Sequence, residues 1–189
     1  MALRWILSFV FLLISFVEFS AQAGLYAEFD GTYLSDTFTT TTTTASSRTY
    51  YGLNIIANLD SKERFYGGFH VSQMSFSDTT TTTTTMSSLD MGPMLVWVLS
   101  QKNTLSLELG VNVTASGQYV HGSTTEALTG MSYYASMGVM PEIFEDWYVG
   151  FRLYYYSMAY SKSVVLTTST DVSYTRAFIF PTFSISWRH

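Results

Sequence analysis

The stretch TLSLELGVNVTAS, residues 104–116, decides the fold. Leu105, Leu107, Leu109, Val111, Val113 and Ala115 take one parity; Thr104, Ser106, Glu108, Gly110, Asn112, Thr114 and Ser116 take the other. Apolar residues two apart share one face of a strand, whereas a helix needs spacings of three and four. Seven further stretches repeat the pattern, at 25–33, 51–59, 64–72, 89–99, 130–139, 147–156 and 176–187. Eight strands of nearly uniform length, in one chain of 189 residues, predict one all-β domain.

Alternation leaves open which face points inward. A water-soluble barrel keeps its apolar face inside; a membrane barrel turns it out to lipid. Charge decides for lipid. Glu28, Asp30, Arg64, Asp90, Glu108, Arg152 and Arg176 all fall on the polar parity, and the apolar parity carries none over these spans. The polar face is rich in Gly, Ser and Tyr and poor in Lys, which suits a narrow interior better than a wet surface. Trp97, Trp147 and Trp187 lie on the apolar parity at one end of their strands, and Tyr33, Tyr51, Tyr133 and Tyr155 at the other. Two such girdles match the two membrane–water boundaries. Hydrophobic residues make up 47% of the chain and charged residues 12%, about half the usual charged share of roughly 25%.

The first 23 residues read as a cleaved signal peptide: Arg4, an uncharged run from Trp5 to Val17, then Ala21-Gln22-Ala23 before the cut. That run is short of the roughly 20 apolar residues of a spanning helix. The barrel domain is therefore expected over 24–189. No later run is long enough for a helix either, so spanning strands must close on themselves to satisfy every backbone N–H and C=O. The sequence predicts an eight-stranded antiparallel up-and-down transmembrane β-barrel.

The connections differ in kind. Those at Asp60-Ser61-Lys62-Glu63, Ser100-Gln101-Lys102-Asn103 and Glu142 to Asp146 are short and charged. Those holding Thr39 to Thr44, Thr79 to Thr85, His121 to Thr125 and Ser161 to Asp171 are rich in hydroxyls and are expected as longer extracellular loops, disordered or extending the strands. The short turns and both termini then face the periplasm.

With its signal peptide, eight alternating strands, unequal connections and C-terminal strand Thr182-Phe183-Ser184-Ile185-Ser186-Trp187, the chain resembles the small eight-stranded outer-membrane barrels of Gram-negative bacteria. Examples are the outer-membrane protein A transmembrane domain and outer-membrane protein X. Members commonly end on an aromatic residue; here Arg188 and His189 follow Trp187. The resemblance implies outer-membrane lipids, lipopolysaccharide and the barrel-assembly machinery as partners, and an extracellular ligand held by the loops. A net charge of −5 without a basic patch argues against nucleic acid. The absence of Cys excludes disulfides and thiolate chemistry, and no His spacing suggests a metal or cofactor.

An eight-stranded barrel is filled by its own side chains, so inward Tyr26, Tyr66, Tyr148, Tyr154, Phe178 and Phe180 predict no wide pore, only at most a narrow channel for small solutes. Inward charges need partners, which predicts an ion-pair network of Arg152 and Arg176 with Glu28, Asp30 and Glu108. Some barrels of similar pattern modify lipid A through a His-x-Ser arrangement, and His70-Val71-Ser72 has that spacing. Those residues face lipid, whereas His70 and Ser72 fall on the inward parity, so the chain is read as a non-enzyme. Barrels of the protein W type pass small hydrophobic molecules through an apolar lumen, which the polar inward residues here argue against.

Overall fold

The computed structural model describes residues 24–39, 43–60, 62–79, 82–100 and 105–188. The expected signal peptide, residues 40–42 and 80–81 of the Thr runs, and the turn residues Ser61 and Gln101 to Asn103 lie outside them, as do Thr104 and His189. The described chain forms strands β1 (Leu25–Thr39), β2 (Thr43–Asn58), β3 (Phe65–Thr79), β4 (Thr83–Val98), β5 (Leu105–His121), β6 (Thr124–Val139), β7 (Glu142–Phe144), β8 (Trp147–Val165) and β9 (Thr168–Arg188). β7 is a three-residue stub beside β8, inside the turn expected at 142–146. The other eight pair antiparallel with their sequence neighbours, and β1 pairs with β9, closing the ring.

The wall is turned inside out relative to a soluble protein. Leu95, Leu109, Val113, Phe151 and Ile179 point outward and are about half or more exposed. Glu28, Asp30, Asn54, His70, Glu108 and Arg152 are buried in the lumen. On β5 the outward belt runs from residue 105 to 113. At roughly 3.3 Å per residue and about 40° of tilt, it is ~20 Å tall between Cα levels, near the ~25 Å of a lipid-facing band. Trp97, Trp147 and Trp187 ring its lower edge, with Trp147 paired to Trp187 and Trp97 stacked on Phe65 at 5.7 Å. Exposed Tyr33, Tyr51, Tyr133 and Tyr155 ring its upper edge, Tyr133 and Tyr155 lying 6.5 Å apart.

Of the two alternatives open for the hydroxyl-rich segments, the described residues take strand extension. Thr44, Thr79, Thr83 to Thr85 and Lys162 to Val165 all lie in ladders, and β5–β6 and β8–β9 turn on only Gly122-Ser123 and Leu166-Thr167. Such tight hairpins call for positive φ, supplied by Gly122 at 59° and Leu166 at 56°. The strands therefore outrun the apolar belt: the outward face of β2 changes at Thr49 and Ser47, that of β3 at Gln73, Ser75 and Ser77. A protruding sheet of Ser and Thr continues the wall at this hairpin end.

One expectation needs correction: parity alone places Ala115 on the lipid face. β5 holds one extra residue between Asn112 and Ala115 relative to both neighbours. This bulge reverses the alternation and leaves Ala115 fully buried.

Candidate functional site

Three layers fill the lumen from the turn end upward. The lowest is built around Arg152 of β8. Its Nε lies 2.7 Å from Glu28 Oε1 and 4.0 Å from Asp30 Oδ1, and its Nη2 lies 2.9 Å from Glu108 Oε1. Nη2 also donates to Ser106 Oγ at 3.0 Å. One guanidinium thus ties β8 to β1 and β5 across the barrel.

Three carboxylates meet that single cation, and neutral donors hold the surplus. Tyr154 OH donates to Asp30 Oδ2 at 2.8 Å and Ser136 Oγ to Glu108 Oε2 at 2.9 Å. Tyr26 donates to Glu28, Ser184 to Asp30, and the Asn54 amide to both. All of these groups are buried, so each bond forms where water does not compete.

Four of the five expected network residues therefore meet: Glu28, Asp30, Glu108 and Arg152. Arg176 does not join them and is the correction. On β9 it lies opposite Met158, whereas Glu28 lies opposite Ser186, ten residues lower on the same strand. At roughly 3.3 Å per residue that offset is ~33 Å along the strand, beyond any side chain. Arg176 instead binds Asp78 of β3 at 2.7 Å and lies 3.6 Å above the Phe76 ring. Burial alone would raise the Asp78 carboxyl, but the hydrogen bonds from Arg176 and Ser46 outweigh it and hold the group below its ordinary value.

The middle layer is aromatic. Tyr50 lies 5.0 Å from Phe180 and 5.4 Å from Tyr154, and Tyr134 lies 5.6 Å from Tyr154 and 5.9 Å from Tyr156. Of the expected filling residues, Tyr26, Tyr154, Phe178 and Phe180 are buried, while Tyr66 and Tyr148 are only half-buried. Arg188 stacks 4.2 Å above Tyr148 and 4.5 Å above Tyr26 at the turn end.

Asp90 forms a hub that the site reading missed. It accepts 2.6 Å hydrogen bonds from Tyr156 OH and Ser132 Oγ, and another from Ser88, and no ion pair reaches it among the described residues. Its inward parity was the only available signal, because its partners carry no charge.

His70 and Ser72 also lie in the lumen but serve different neighbours. His70 Nδ1 is 2.5 Å from Asn54 Oδ1 and Nε2 is 3.4 Å from Tyr50 OH, while Ser72 Oγ bonds Tyr156 OH at 3.0 Å. Both face away from lipid.

The top layer is apolar: Met74, Phe76, Met86, Leu128, Met158 and Phe178. Beside it the wall is incomplete. β1 pairs with β9 only from Tyr26↔Arg188 to Gly31↔Phe183. Above those pairs, residues 32–39 of β1 and 168–182 of β9 keep one neighbour each, β2 and β8, and the edges between them are unpaired.

Fold and lumen define a class: a closed transmembrane β-barrel, apolar outside, plugged by charge and aromatic rings, and splayed along one seam above the belt. No family model and no curated protein matches the sequence. Among solved structures, the chain is similar to Neisserial surface protein A, at 10% identity and a TM-score of 0.49, over 88% of this chain and 97% of that one. It is also similar to the translocator domain of the autotransporter NalP from Neisseria meningitidis, at 10% identity and a TM-score of 0.44, over 86% of this chain and 61% of that one.

Proposed function

We propose that this chain is a non-enzymatic barrel of a bacterial outer membrane, anchored in lipid and lipopolysaccharide, that holds a hydroxyl-rich β-sheet above the cell surface and engages an extended partner strand at the sheet's free edges. The observation that carries this reading is the open seam. Residues 32–39 of β1 and 168–182 of β9 are unpaired on one side, and a long unpaired edge is a template for strand addition. Between the described ends of β2, β3 and β4 no such edge is offered, because residues 45–57 of β2, 66–79 of β3 and 84–91 of β4 are paired on both sides.

The plug makes the barrel an anchor and not a conduit. His70 and Ser72, each bonded to other partners and walled from lipid, support the non-enzymatic reading. The test pans random extended peptides over the refolded chain in lipid nanodiscs. β-prone peptides should be enriched, and should be lost when Ser35→Lys and Thr37→Lys blunt the β1 edge. No enrichment over that variant would sink the edge reading. Steady large openings in a planar bilayer would sink the plug, and a lipid A acyl profile altered by the wild-type chain but not by His70→Ala would restore the enzyme.

A further inference from the structure

We infer that the cup at the hairpin end binds a single-chain amphiphile with an anionic head, of the free fatty acid class, admitted from the outer leaflet through the open seam. This inference is independent of strand addition at the edges. The cup is a cavity of about 320 Å³ lined by Met86, Tyr119, Leu128, Tyr160, Tyr174 and Arg176, at the small end of the roughly 300–1,000 Å³ typical of ligand sites. Its walls are apolar and aromatic. The ring layer of Tyr50, Tyr154 and Phe180 closes the lumen below it, so the cup is blind and a ligand is held there, not passed on.

Two features set the chemistry of the occupant. The first is charge at the rim. Arg176 lies over Phe76, and Arg48 lies 5.1 Å from the Phe178 ring centroid. Asp78 engages Arg176 through Nη2 alone, which leaves most of the five guanidinium donors for a second anion. Arg48 forms no ion pair among the described residues. An anionic head meets two cations there, beside Asp78 and the exposed Asp36 of the β1 edge, which lies opposite Ser46.

The second feature is the position of the gap. It starts at Thr32 on β1 and Thr182 on β9, just below the outward Tyr33 and Ile179 at the upper edge of the lipid belt, each 68% exposed. Inward from it, Leu34 on one edge and Phe178 and Phe180 on the other face the packed interior. An acyl chain can therefore leave the leaflet sideways without crossing a hydrogen-bonded wall, while its head stays at the level of the arginines. A cationic or uncharged amphiphile gains nothing at that rim.

The test measures radiolabelled palmitate bound to the refolded chain in phosphatidylcholine nanodiscs, with empty discs subtracted. Saturable binding of one palmitate per barrel is expected, not displaced by dodecyltrimethylammonium. Arg176→Gln should weaken it about tenfold or more, the scale of a lost charge-assisted hydrogen bond. Leu128→Trp, which fills the cup, should abolish it while the folded barrel keeps its heat-sensitive gel mobility. Should Arg176→Gln fail to fold, Arg48→Gln carries the charge test. Uptake no greater than into empty discs, or binding unchanged by Leu128→Trp or by loss of the arginine tested, overturns the inference.

Discussion

Replacing Arg152 tests the account at its most loaded point. The Arg152→Met chain keeps a similar unbranched stem over Gly138, so little cavity opens: a Cβ placed on Gly138 would already meet Arg152 Cγ at 2.5 Å. What disappears is the one cation among Glu28, Asp30 and Glu108, held at 2.7, 4.0 and 2.9 Å. The four side chains have no solvent exposure, so screening by water does not soften the loss. Breaking a buried pair from one side costs about 3–5 kcal/mol, because the stranded charge remains. The hydroxyls of Tyr154, Ser136 and Ser184 still hold the carboxylates, which places the expectation near 3 kcal/mol, the lower end of that range. Urea unfolding in short-chain phosphatidylcholine vesicles reads it through Trp97, Trp147 and Trp187, which leave lipid when the barrel opens. Adding Glu28→Gln and Glu108→Gln to Arg152→Met removes two of the three stranded carboxylates, leaving Asp30 with its hydroxyl donors from Tyr154 and Ser184, and should recover most of the loss. A single variant within about 1 kcal/mol of wild type, the scale of a solvated pair, would refute the buried-network argument, as would a triple variant no more stable than the single one.

Three other outcomes follow from the same wall. Leu109 sits at the middle of the outward belt on β5, so Leu109→Arg should cost about 2–4 kcal/mol in bilayers, read by the same urea titration. Asp78 is held below its ordinary carboxyl value by hydrogen bonds from Arg176 and Ser46 against the opposing effect of burial. Its contribution is present above the unfolded value and is lost as pH falls through the folded one. Asp78→Asn should thus be less stable than wild type at neutral pH, by under about 1 kcal/mol because the pair is a third exposed, and the two should converge in acid below about pH 4. Pro181 lies two residues past the last β1–β9 pair and has no N–H to donate. Pro181→Val should lengthen that ladder and slow amide exchange at Thr32 and Tyr33; unchanged exchange would remove Pro181 as a cause of the gap.

The belt was legible because its two faces differ chemically. Leu105 to Val113 could be placed against lipid from parity alone, as could inward Glu28, Asp30, Glu108 and Arg152 from their charge. The Thr runs were not legible, since a strand with the same residue on both faces carries no alternation, and β-propensity alone does not separate strand from solvated tip. Arg176 was misplaced for a different reason. Parity tells which face a residue takes, but its height depends on the stagger between strands, which no single strand records. Tyr50 lay one residue outside the recognised alternation of β2, and Asp90 had the right parity but no charged partner to flag it. The register slip on β5 was hidden because Val113, Thr114 and Ala115 continue the apolar–polar pattern across the bulge.

The same slips account for where the wall opens. β5 carries an extra residue between Asn112 and Ala115, β8 one at Ser161 relative to β6, and β9 one between Asp171 and Tyr174 relative to β8. The β1–β2, β2–β3 and β3–β4 ladders run without a shift. Each bulge bends its strand and adds right-handed twist, and all three act near or above the top of the apolar belt. The β5–β9 side of the protruding sheet therefore coils away from a β1–β3 side that continues straight, and the mismatch gathers where the two sides meet, between β9 and β1. Inside lipid the ring must close, because an unpaired backbone group has no water to turn to, and there the six β1–β9 pairs from Tyr26 to Gly31 hold it shut. Above the belt water satisfies both edges and that constraint ends. The seam opens at the level where the solvent changes, which places a lateral entrance at the outer leaflet without any loop to form it.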